Sequence, residues 1–445
     1  MQDEKRKASV LQLCEDIVSS LDLISQLGRI YIAYSGGVDS HVLLHCCAGL
    51  PELQGKLTAV YIHHGLQVEA EFWALHCEKT AKNLDVDFLM LRVNAKASQG
   101  ESPEEAARNA RYTALKSLIH AGDLLLLAQH REDQLETVLL QLFRGSGLPG
   151  LSGMPERMVF GPGLMLRPLL HTSKQAIDDY ADSHQLSWIE DPSNQSNDYD
   201  RNFLRNQIVP LLKQRWPALD KTVSRSARHC ADAQVLVEQV AGQLFIDIFN
   251  PQDKTLSISR LTAHHSSSQQ LIIRHWFGCL GLKMPAQAVV GRILSQVIAA
   301  DKQRDPVLSG QGYSIRRYRD KLYCLVIQIR PQDCAWPTGQ TSIHISPEQT
   351  WSWVTSPTGI PREQWLAAKV EIRFRRGGEK IGLPGRQGHH VLKNLFQEAG
   401  IPTWERDCLP LIYLDDQLAA VGERWISAEF YSEKMQDCIS LLRQS

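Results

Sequence analysis

The chain has 445 residues, of which 48 are Lys or Arg and 49 are Asp or Glu, so its formal net charge is −1. Hydrophobic residues make up 43% and charged residues 22%, which is ordinary for a globular protein and excludes collagen-like and wholly disordered classes. The length predicts about two to four domains of roughly 100–200 residues each. The near-neutral charge by itself argues mildly against a polyanionic partner, although an average conceals local patches.

The N-terminal sequence and the cysteines favour a cytoplasmic protein. The first residues, MQDEKRKASV, carry several charges, and no apolar signal segment follows them. No uninterrupted apolar run approaches the roughly 20 residues that span a bilayer. The ten cysteines include no CxxC pair, which disfavours zinc ribbons, thioredoxin-like sites and a disulfide framework. We therefore expect a cytoplasmic location, no membrane partner and no obligate protein partner.

Strand and helix patterns alternate in the first half of the chain. Apolar, β-rich runs lie at 29–34, 57–62, 87–93 and 124–128, and helical periods lie at 39–48, 69–83, 103–120 and 131–143. Ser102 is the predicted N-cap of the third helix, where Glu105 completes a capping box. This alternation predicts an α/β fold with a parallel sheet covered on both faces.

The pattern changes after about residue 216. Residues 221–249 and 268–300 are helical in period, and 313–328 predicts a hairpin that turns near Asp320. Five prolines between 331 and 361 predict an irregular connection or short edge strands. Residues 366–435 combine short strands with one helix near 389–399.

Three domains are predicted from these changes. Residues 1–217 form the parallel-sheet, Rossmann-like domain, residues 218–365 a mainly helical middle domain, and residues 366–445 a small α+β domain.

The strongest local signal directly follows the first predicted strand and opens a helix. It is the run Ser35, Gly36, Gly37, Val38, Asp39 and Ser40. The two glycines allow a tight turn with exposed amide groups, the serines add hydroxyl donors, and a helix N-terminus attracts an anion. Asp39 would repel phosphates unless Mg²⁺ lies between them, which makes it a metal-ligand candidate.

Neither a Walker A motif nor a GxGxxG fingerprint accounts for this loop, because the chain contains no GxxxxGK[ST] and the loop itself lacks GxGxxG spacing. The loop resembles the SGGxDS loop of the N-type ATP pyrophosphatases, which adenylate a substrate and release pyrophosphate. Further segments resemble one family within that group, the tRNA(Ile)-lysidine synthases. They are YIHHGL (61–66), EEAARNARYTAL (104–115), LAQHREDQLETVLLQLFRGSGLPGLSGM (127–154), RPLL (167–170), WIEDPSNQSNDYDRNFLRNQIVPLL (188–212), RFRRGG (373–378) and KNLFQEAGIPTWERDCLPLIY (393–413).

The resemblance implies an activity and its substrates. The enzyme would use ATP and Mg²⁺ to ligate L-lysine to C2 of the wobble cytidine in tRNA(Ile) bearing a CAU anticodon. An adenylated cytidine would be the intermediate and lysidine the product. Residues 35–40 would hold the phosphates, and His63, at the end of the second strand, would lie beside the adenosine. The middle domain, residues 218–365, would contact the tRNA or the substrate, and the C-terminal domain, residues 366–445, would hold the acceptor side of the tRNA.

Two pairs of charged residues are further candidates. Asp133 and Glu136 are spaced i, i+3 and so share a helix face. Spacing alone favours a solvated acidic face, whereas the resemblance favours a pocket for the substrate lysine, with Asp133 as a candidate base. Arg111 is the first choice, and Arg108 the second, for an arginine that stabilises charge during adenylyl transfer.

Opposing charge patches explain the neutral total. Residues 178–200 hold seven acids and no Lys or Arg, residues 201–229 hold seven bases and one acid, and residues 369–393 hold seven bases and two acids. The second patch predicts either an RNA-facing surface with Arg201 and Arg205 or a salt-bridged domain boundary. The third predicts either phosphate contacts or a solvated strand. Its candidate tRNA contacts are Arg373, Arg375, Arg376 and Lys393.

Two alternatives remain open. The first is another tRNA-modifying pyrophosphatase such as a tRNA thiolase, although such enzymes commonly depend on paired reactive cysteines. The second is a catalytically silent tRNA-binding relative that retains the loop. An intact Asp39 and the acidic pair at 133 and 136 argue against the second.

Overall fold

The first half of the chain forms a mostly parallel sheet in a computed structural model of the protein. The chain divides into two compact units, Met1–Gln239 and Val240–Ser445. Ser102, the predicted N-cap, lies outside the described residues. The structure describes residues 13, 15, 17–21, 28–65, 69–94, 103–301 (backbone alone at 103 and 104), 304–326, 330–346, 349–433 and 437–444.

Six strands build the sheet of the first unit. They are β1 Ile30–Ala33, β2 Leu57–His63, β3 Asp87–Arg92, β4 Leu124–Leu126, β5 Arg157–Phe160 and β6 Gly163–Leu166. Their spatial order is β3-β2-β1-β4-β6-β5, and only β5 runs antiparallel to its neighbour. The direction of winding reverses beside β1, which lies between β2 and β4. Ligands of open α/β sheets bind at the carboxyl ends of the strands at such a reversal.

Helices cover both faces of this sheet, which confirms the predicted α/β class. The helices α1 Val38–Ala48, α2 Ala70–Asn83 and α6 Lys174–Ser183 pack on one face, and α3 Pro103–Leu118 packs on the other. The remaining helices are α4 Arg131–Phe143, α5 Leu148–Leu151, α7 Asp200–Phe203, α8 Val209–Arg215 and α9 Leu219–Ile246, which runs from the first unit into the second. A π-helical turn, Leu204–Ile208, lies between α7 and α8, and 3₁₀ turns lie at Pro51–Leu53 and Pro192–Gln195. Because strand side chains alternate, Ile30 and Ile32 pack in one core layer with α1 and α6. Tyr31 and Ala33 face the opposite layer with α3.

The second unit begins with helices over a small antiparallel sheet. The strands are β7 Phe249–Asn250, β8 Thr255–Ser257, β9 Val307–Ser309, β10 Tyr313–Tyr318 and β11 Lys321–Val326, and the helices are α10 Ile258–Thr262, α11 Ser266–Cys279 and α12 Gln287–Arg292 with a π-helical turn Ile293–Ile298. Trp276 and Phe277 are fully buried in this core. Strands β10 and β11 form the predicted hairpin, and Asp320 lies in its turn.

Short strands and helices complete the second unit. They are β12 Cys334–Ala335, β13 Ser342–Ser346, β14 Gln349–Ser356, β15 Ile360–Pro361, α13 Arg362–Ala367, β16 Val370–Phe374, β17 Lys380–Gly382, β18 His389–Val391, α14 Leu392–Glu398, α15 Thr403–Arg406, β19 Pro410–Leu414, β20 Gln417–Val421, β21 Trp425–Ile426 and β22 Cys438–Gln444. The prediction of only short or irregular structure over 331–361 is wrong at β14, an interior strand of its sheet. Pro357 follows the last residue of this strand rather than interrupting its hydrogen bonds.

One strand pairing bears on the predicted domain boundaries. Strand β14 pairs with β22, from Thr350 opposite Gln444 to Ser356 opposite Cys438. Strand β14 precedes the predicted boundary between residues 365 and 366, and β22 follows it. The two strands are nevertheless hydrogen-bonded neighbours in one sheet. The domain boundaries at 217 and 365 stay predictions.

Candidate active site

The loop from Ser35 to Ser40 connects β1 to α1 in a conformation that requires glycine. Gly36 has a φ of +84°, and a Cβ there would lie 2.6 Å from Ile189 Cδ1. The Ser40 hydroxyl accepts a hydrogen bond from the Ser35 amide at 3.2 Å and donates one to the Gly37 carbonyl at 2.9 Å. Gly37 is the N-cap of α1 and has no side chain to cap it. The first amide groups of α1 are therefore suited to a bound anion.

Asp39 is paired with a lysine that the sequence analysis did not identify. Lys174 Nζ lies 2.6 Å from Asp39 Oδ1 and 3.1 Å from Asp178 Oδ1. Lys174 is the first residue of α6, whose N-cap, Ser173, accepts a hydrogen bond from the Ala176 amide. The sequence shows a serine before this lysine, which is a helix N-cap signal. It does not show that Lys174 lies close to Asp39.

A buried histidine joins this pair to helix α4. His130 is the N-cap of α4, and its ring nitrogens lie 3.4–3.7 Å from carboxylate oxygens of Asp39, Glu132 and Asp133. Burial alone would lower the pKa of His130, but these carboxylates outweigh it and raise that pKa above its usual value. The raised pKa favours the protonated imidazole, which would stabilise the three acids around it.

Glu132 has a structural role in this cluster. It lies 3.1 Å from Lys213 Nζ and accepts a 2.9 Å hydrogen bond from the Lys174 amide. Burial alone would raise the pKa of Glu132, but His130, the Lys174 amide and Lys213 together lower it to about 2. Glu132 therefore stays ionised, and its contacts with Lys174 and Lys213 connect α4 to α6 and α8.

Asp133 and Glu136 do share a face of α4, and in this structure that face holds two arginines. Glu136, which is 2% exposed, lies 2.8 Å from Arg201 Nε and 2.6 Å from Arg205 Nε. Asp133 Oδ1 lies 3.2 Å from Arg201 and 2.9 Å from Arg205. The sequence analysis assigned the acids to lysine and the arginines to tRNA. The structure brings the four together in one ion-pair network, and both assignments stay predictions.

A cavity of about 290 Å³ opens beside the loop at the carboxyl ends of β1 and β2. Its lining includes Ser35, His64, Arg111 and Asp191. Arg111, the first-choice arginine, therefore lies at the site. Arg108 is exposed, and its guanidinium lies 4.9 Å from the centre of the Tyr112 ring.

Of the two neighbouring histidines, the structure places His64 and not the predicted His63 in the cavity lining. His63, the last residue of β2, is buried with its Nε2 3.5 Å from a carboxylate oxygen of Glu71. The two side chains differ because successive residues of an extended chain point in opposite directions. Burial, and then the charge of Arg111, lowers the pKa of His64, so its imidazole is neutral at pH 7.

The predicted basic contacts of the second unit are mostly paired with acids. Arg373 forms ion pairs with Glu371 and Asp416, Arg375 lies 3.7 Å from Asp407, and Arg376 lies 2.6 Å from Asp333. Lys393 is exposed on α14 and has no ion-pair partner within the described part of the chain.

Neither a cluster of metal ligands nor a membrane-spanning helix occurs among the described residues. No group of three or more His, Cys, Asp or Glu side chains there is arranged to hold a metal ion. No helix in that part of the chain is long and apolar enough to cross a bilayer.

Comparison with known proteins decides the family. Residues 3–212 match the PP-loop domain family, residues 256–323 the TilS substrate binding domain, and residues 370–442 the TilS substrate C-terminal domain. The tRNA(Ile)-lysidine synthase of Methylococcus capsulatus is 38% identical over 90% of this chain and 92% of its own length. That of Photobacterium profundum is also 38% identical, over 94% of this chain and 96% of its own length.

The chain belongs to the tRNA(Ile)-lysidine synthase family. The predicted family, fold class and enzyme class are thereby confirmed, and this lysidine synthase family member is an ATP-using ligase with a PP-loop domain. Ser35, the first residue of the loop 35–40, lines the 290 Å³ cavity.

Proposed function

We propose that this protein ligates lysine to C2 of the wobble cytidine in tRNA(Ile) bearing a CAU anticodon, and that the lysidine it forms changes decoding from Met to Ile. The observation that carries the proposal is the match to tRNA(Ile)-lysidine synthases across more than nine-tenths of both chains. The three matched domain families and the loop beside the cavity are consistent with it.

In the first step, the 2-oxo group of the cytidine attacks the α-phosphate of ATP and pyrophosphate leaves. Residues 35–40 hold the pyrophosphate through amide and hydroxyl groups at the N-terminus of α1. Arg111 stabilises the charge that develops on the transferred phosphate, and His64 contacts the adenosine. The cytidine is already unstacked in an anticodon loop, so presenting it costs little.

A magnesium ion is part of this proposal. Mg²⁺ commonly uses one or two protein carboxylates and takes its other oxygens from phosphates and water, so Asp39 fits the role without a dedicated cluster. When bound there, the ion would neutralise charge on the departing pyrophosphate. Lys174 supplies a second positive charge at the same carboxylate.

In the second step, the ε-amine of lysine attacks C2 and expels AMP. Asp133 and Glu136 bind the lysine through its ammonium groups, in competition with Arg201 and Arg205. His130 and the arginines lower the pKa of Asp133, against the effect of burial, so it is a weak base while they remain in place. Asp133 can take the proton of the ε-amine only once those contacts loosen.

In the second unit, we propose that the remaining basic candidates hold the tRNA. Arg373, Arg375, Arg376 and Lys393 would contact its phosphates, which position an RNA without reading its sequence. Lys393 could contact a phosphate without first breaking an ion pair, because it is exposed and has no acidic partner within the described residues.

The two alternatives fit the structure less well. A thiolase would need a reactive thiolate at the site, yet burial raises the pKa of Cys77, the cysteine that lies next to Gly36, to about 12. A silent tRNA-binding relative would not need the Asp39–Lys174 pair or the His130 cluster, both of which are intact.

The proposal is tested by incubating the protein with ATP, Mg²⁺, labelled lysine and the tRNA. We expect label in the tRNA, and none under conditions where the tRNA binds would overturn the ligase. Asp39→Ala should abolish incorporation and leave tRNA binding nearly intact. Glu52→Gln, an exposed acid on the same unit, is the matched control and should behave as the wild type.

A further inference from the structure

The second unit contains a cavity that the proposed chemistry does not use. It has a volume of about 540 Å³ and lies among β10, β14, α15 and β22. Four arginines line it: Arg316, Arg330, Arg424 and Arg443. On β10, Ser314 and Arg316 reach it together because residues two apart on a strand share a face. Residues Gln349 and Trp351 reach it from β14 for the same reason.

The four arginines differ in whether their guanidinium groups already form hydrogen bonds or ion pairs. Arg330 donates to the carbonyl of Arg375. The guanidinium groups of Arg316, Arg424 and Arg443 form no hydrogen bond or ion pair with any side chain in the described part of the chain. Arg316 Nε is buried without a hydrogen-bond partner. Arg424 and Arg443 interact electrostatically with Glu405, but their guanidinium groups form no ion pair and keep donors that are suited to a phosphate.

The walls also offer groups that suit a base and a ribose. Trp404 lines the cavity, and its ring is held edge-on by Tyr323, with ring centres 5.0 Å apart. The guanidinium of Arg316 lies 5.6 Å from the centre of the Trp404 ring. Gln349 Oε1 and Trp351 Nε1, on side chains that are at least nine-tenths buried, have no hydrogen-bond partner. Aromatic rings and arginine planes are the surfaces on which unpaired bases stack.

Three carboxylates in the lining fit the same ligand. Asp407 is paired with Arg375, and Glu423 accepts a hydrogen bond from the backbone amide of Arg443. Glu405 is the third. Carboxylates repel a bare phosphate at close range but accept hydrogen bonds from ribose hydroxyls and base amino groups. The mixture therefore favours a nucleotide over an inorganic anion.

We propose that this cavity binds one nucleoside phosphate unit, with its phosphate on Arg316, Arg424 and Arg443 and its base against Trp404. The unpaired 3′ end of the tRNA and a free nucleotide are two sources of that chemistry. A tRNA source rests on the function proposed above, whereas a free nucleotide does not.

The test compares tRNA binding and AMP binding by the full-length protein and by an Arg424→Gln, Arg443→Gln double variant. Both arginines are exposed, so their replacement should not disturb folding. The matched control is Lys283→Gln with Arg304→Gln, which removes two exposed charges from the same unit away from the cavity. One strong charged hydrogen bond lost to a phosphate weakens binding by about tenfold.

If the RNA end is the ligand, the double variant loses two such bonds and binds intact tRNA about a hundredfold more weakly than the control variant does. It should bind a tRNA lacking its unpaired 3′ nucleotides as the control does. The wild type should also prefer the intact tRNA, a comparison that needs no variant. If a free nucleotide is the ligand, labelled AMP in equilibrium dialysis loses one site in the double variant while tRNA binding is unchanged.

Equal behaviour of the two variants toward intact tRNA, shortened tRNA and AMP would overturn the cavity proposal. Lysine incorporation by the wild type, measured alongside, separates the two hypotheses. If the wild type incorporates no lysine, the proposed function is overturned. If it incorporates lysine but the two variants bind all three ligands equally, only the cavity proposal is overturned.

Discussion

Lys174 Nζ lies 2.6 Å from Asp39 Oδ1, across 135 positions of sequence, so the carboxylate of the phosphate loop is neutralised before any ligand arrives. An unpaired Asp39 beside the helix N-terminus would repel the phosphates that we propose the loop holds. The pair places an ammonium group at the same point, and we propose that Lys174 Nζ also donates to the phosphates when ATP binds.

We expect Lys174→Gln to raise KM for ATP by about tenfold, the loss of one charged hydrogen bond to phosphate. The measurement is steady-state lysine incorporation at varied ATP. Lys79→Gln, an exposed lysine on α2, is the control and should leave KM unchanged. An unchanged KM in Lys174→Gln would show that the lysine serves only to balance Asp39.

The two histidines at the end of β2 offer a test of the cavity itself. His64 lines it and is neutral at pH 7, because burial and Arg111 lower its pKa. We expect His64→Ala to raise KM for ATP by about five- to tenfold, the value of one neutral hydrogen bond plus lost contact. The same change at His63, whose ring lies against Glu71, should have little effect on KM. If ATP titrations instead show a raised KM for His63→Ala and an unchanged KM for His64→Ala, the adenosine binds on the side of the strand that His63 faces.

Local pattern predicted the elements that carry this site, but it could not predict their partners. The helix expected at 131–143 is α4, Arg131–Phe143. The glycine loop at 35–40 lies between a strand and a helix, as predicted. Asp133 and Glu136 share a face because spacing alone requires it. The arginines that fill that face come from a different helix, and no local signal encodes such a contact.

The same limit explains the choice between His63 and His64. The sequence shows that a strand ends there, but the last residue of a strand faces one side or the other according to register, which neighbouring strands set. Likewise, β14 and β22 are joined only in the folded sheet, so composition suggested a boundary between them.

The network of Asp133, Glu136, Arg201 and Arg205 should show strong energetic coupling. Glu136→Gln leaves two guanidinium groups facing one carboxylate, and we expect it to lower the free energy of unfolding by about 2 kcal/mol. A double-mutant cycle of Glu136→Gln with Arg205→Gln in urea unfolding should give a coupling of about 1–3 kcal/mol. Glu78→Gln, an exposed acid, should change stability by less than about 0.5 kcal/mol. Additive effects would mean that the pairing contributes little and that the arginines are free for tRNA.

The cluster around His130 predicts how stability changes with pH. The surrounding carboxylates raise the pKa of His130 in the folded protein, against the effect of burial, whereas the unfolded chain has the ordinary value of about 6.5. Below that value both states are protonated, and the full stabilisation is present. As the pH rises above it, the unfolded state loses its proton first, so this contribution declines until the folded-state pKa is passed.

The expected result is therefore a stability difference between the wild type and His130→Gln that is larger at pH 6 than at pH 8.5. Urea unfolding at several pH values measures it, and the difference removes the effects of other titrating groups such as His41, whose pKa is lowered to about 4 by burial and by His45. His120→Gln, with an exposed ring, should show no such trend. A difference that grows with pH would mean that burial dominates, that the imidazole is neutral, and that Asp39 and Asp133 are balanced by Lys174 and the two arginines alone.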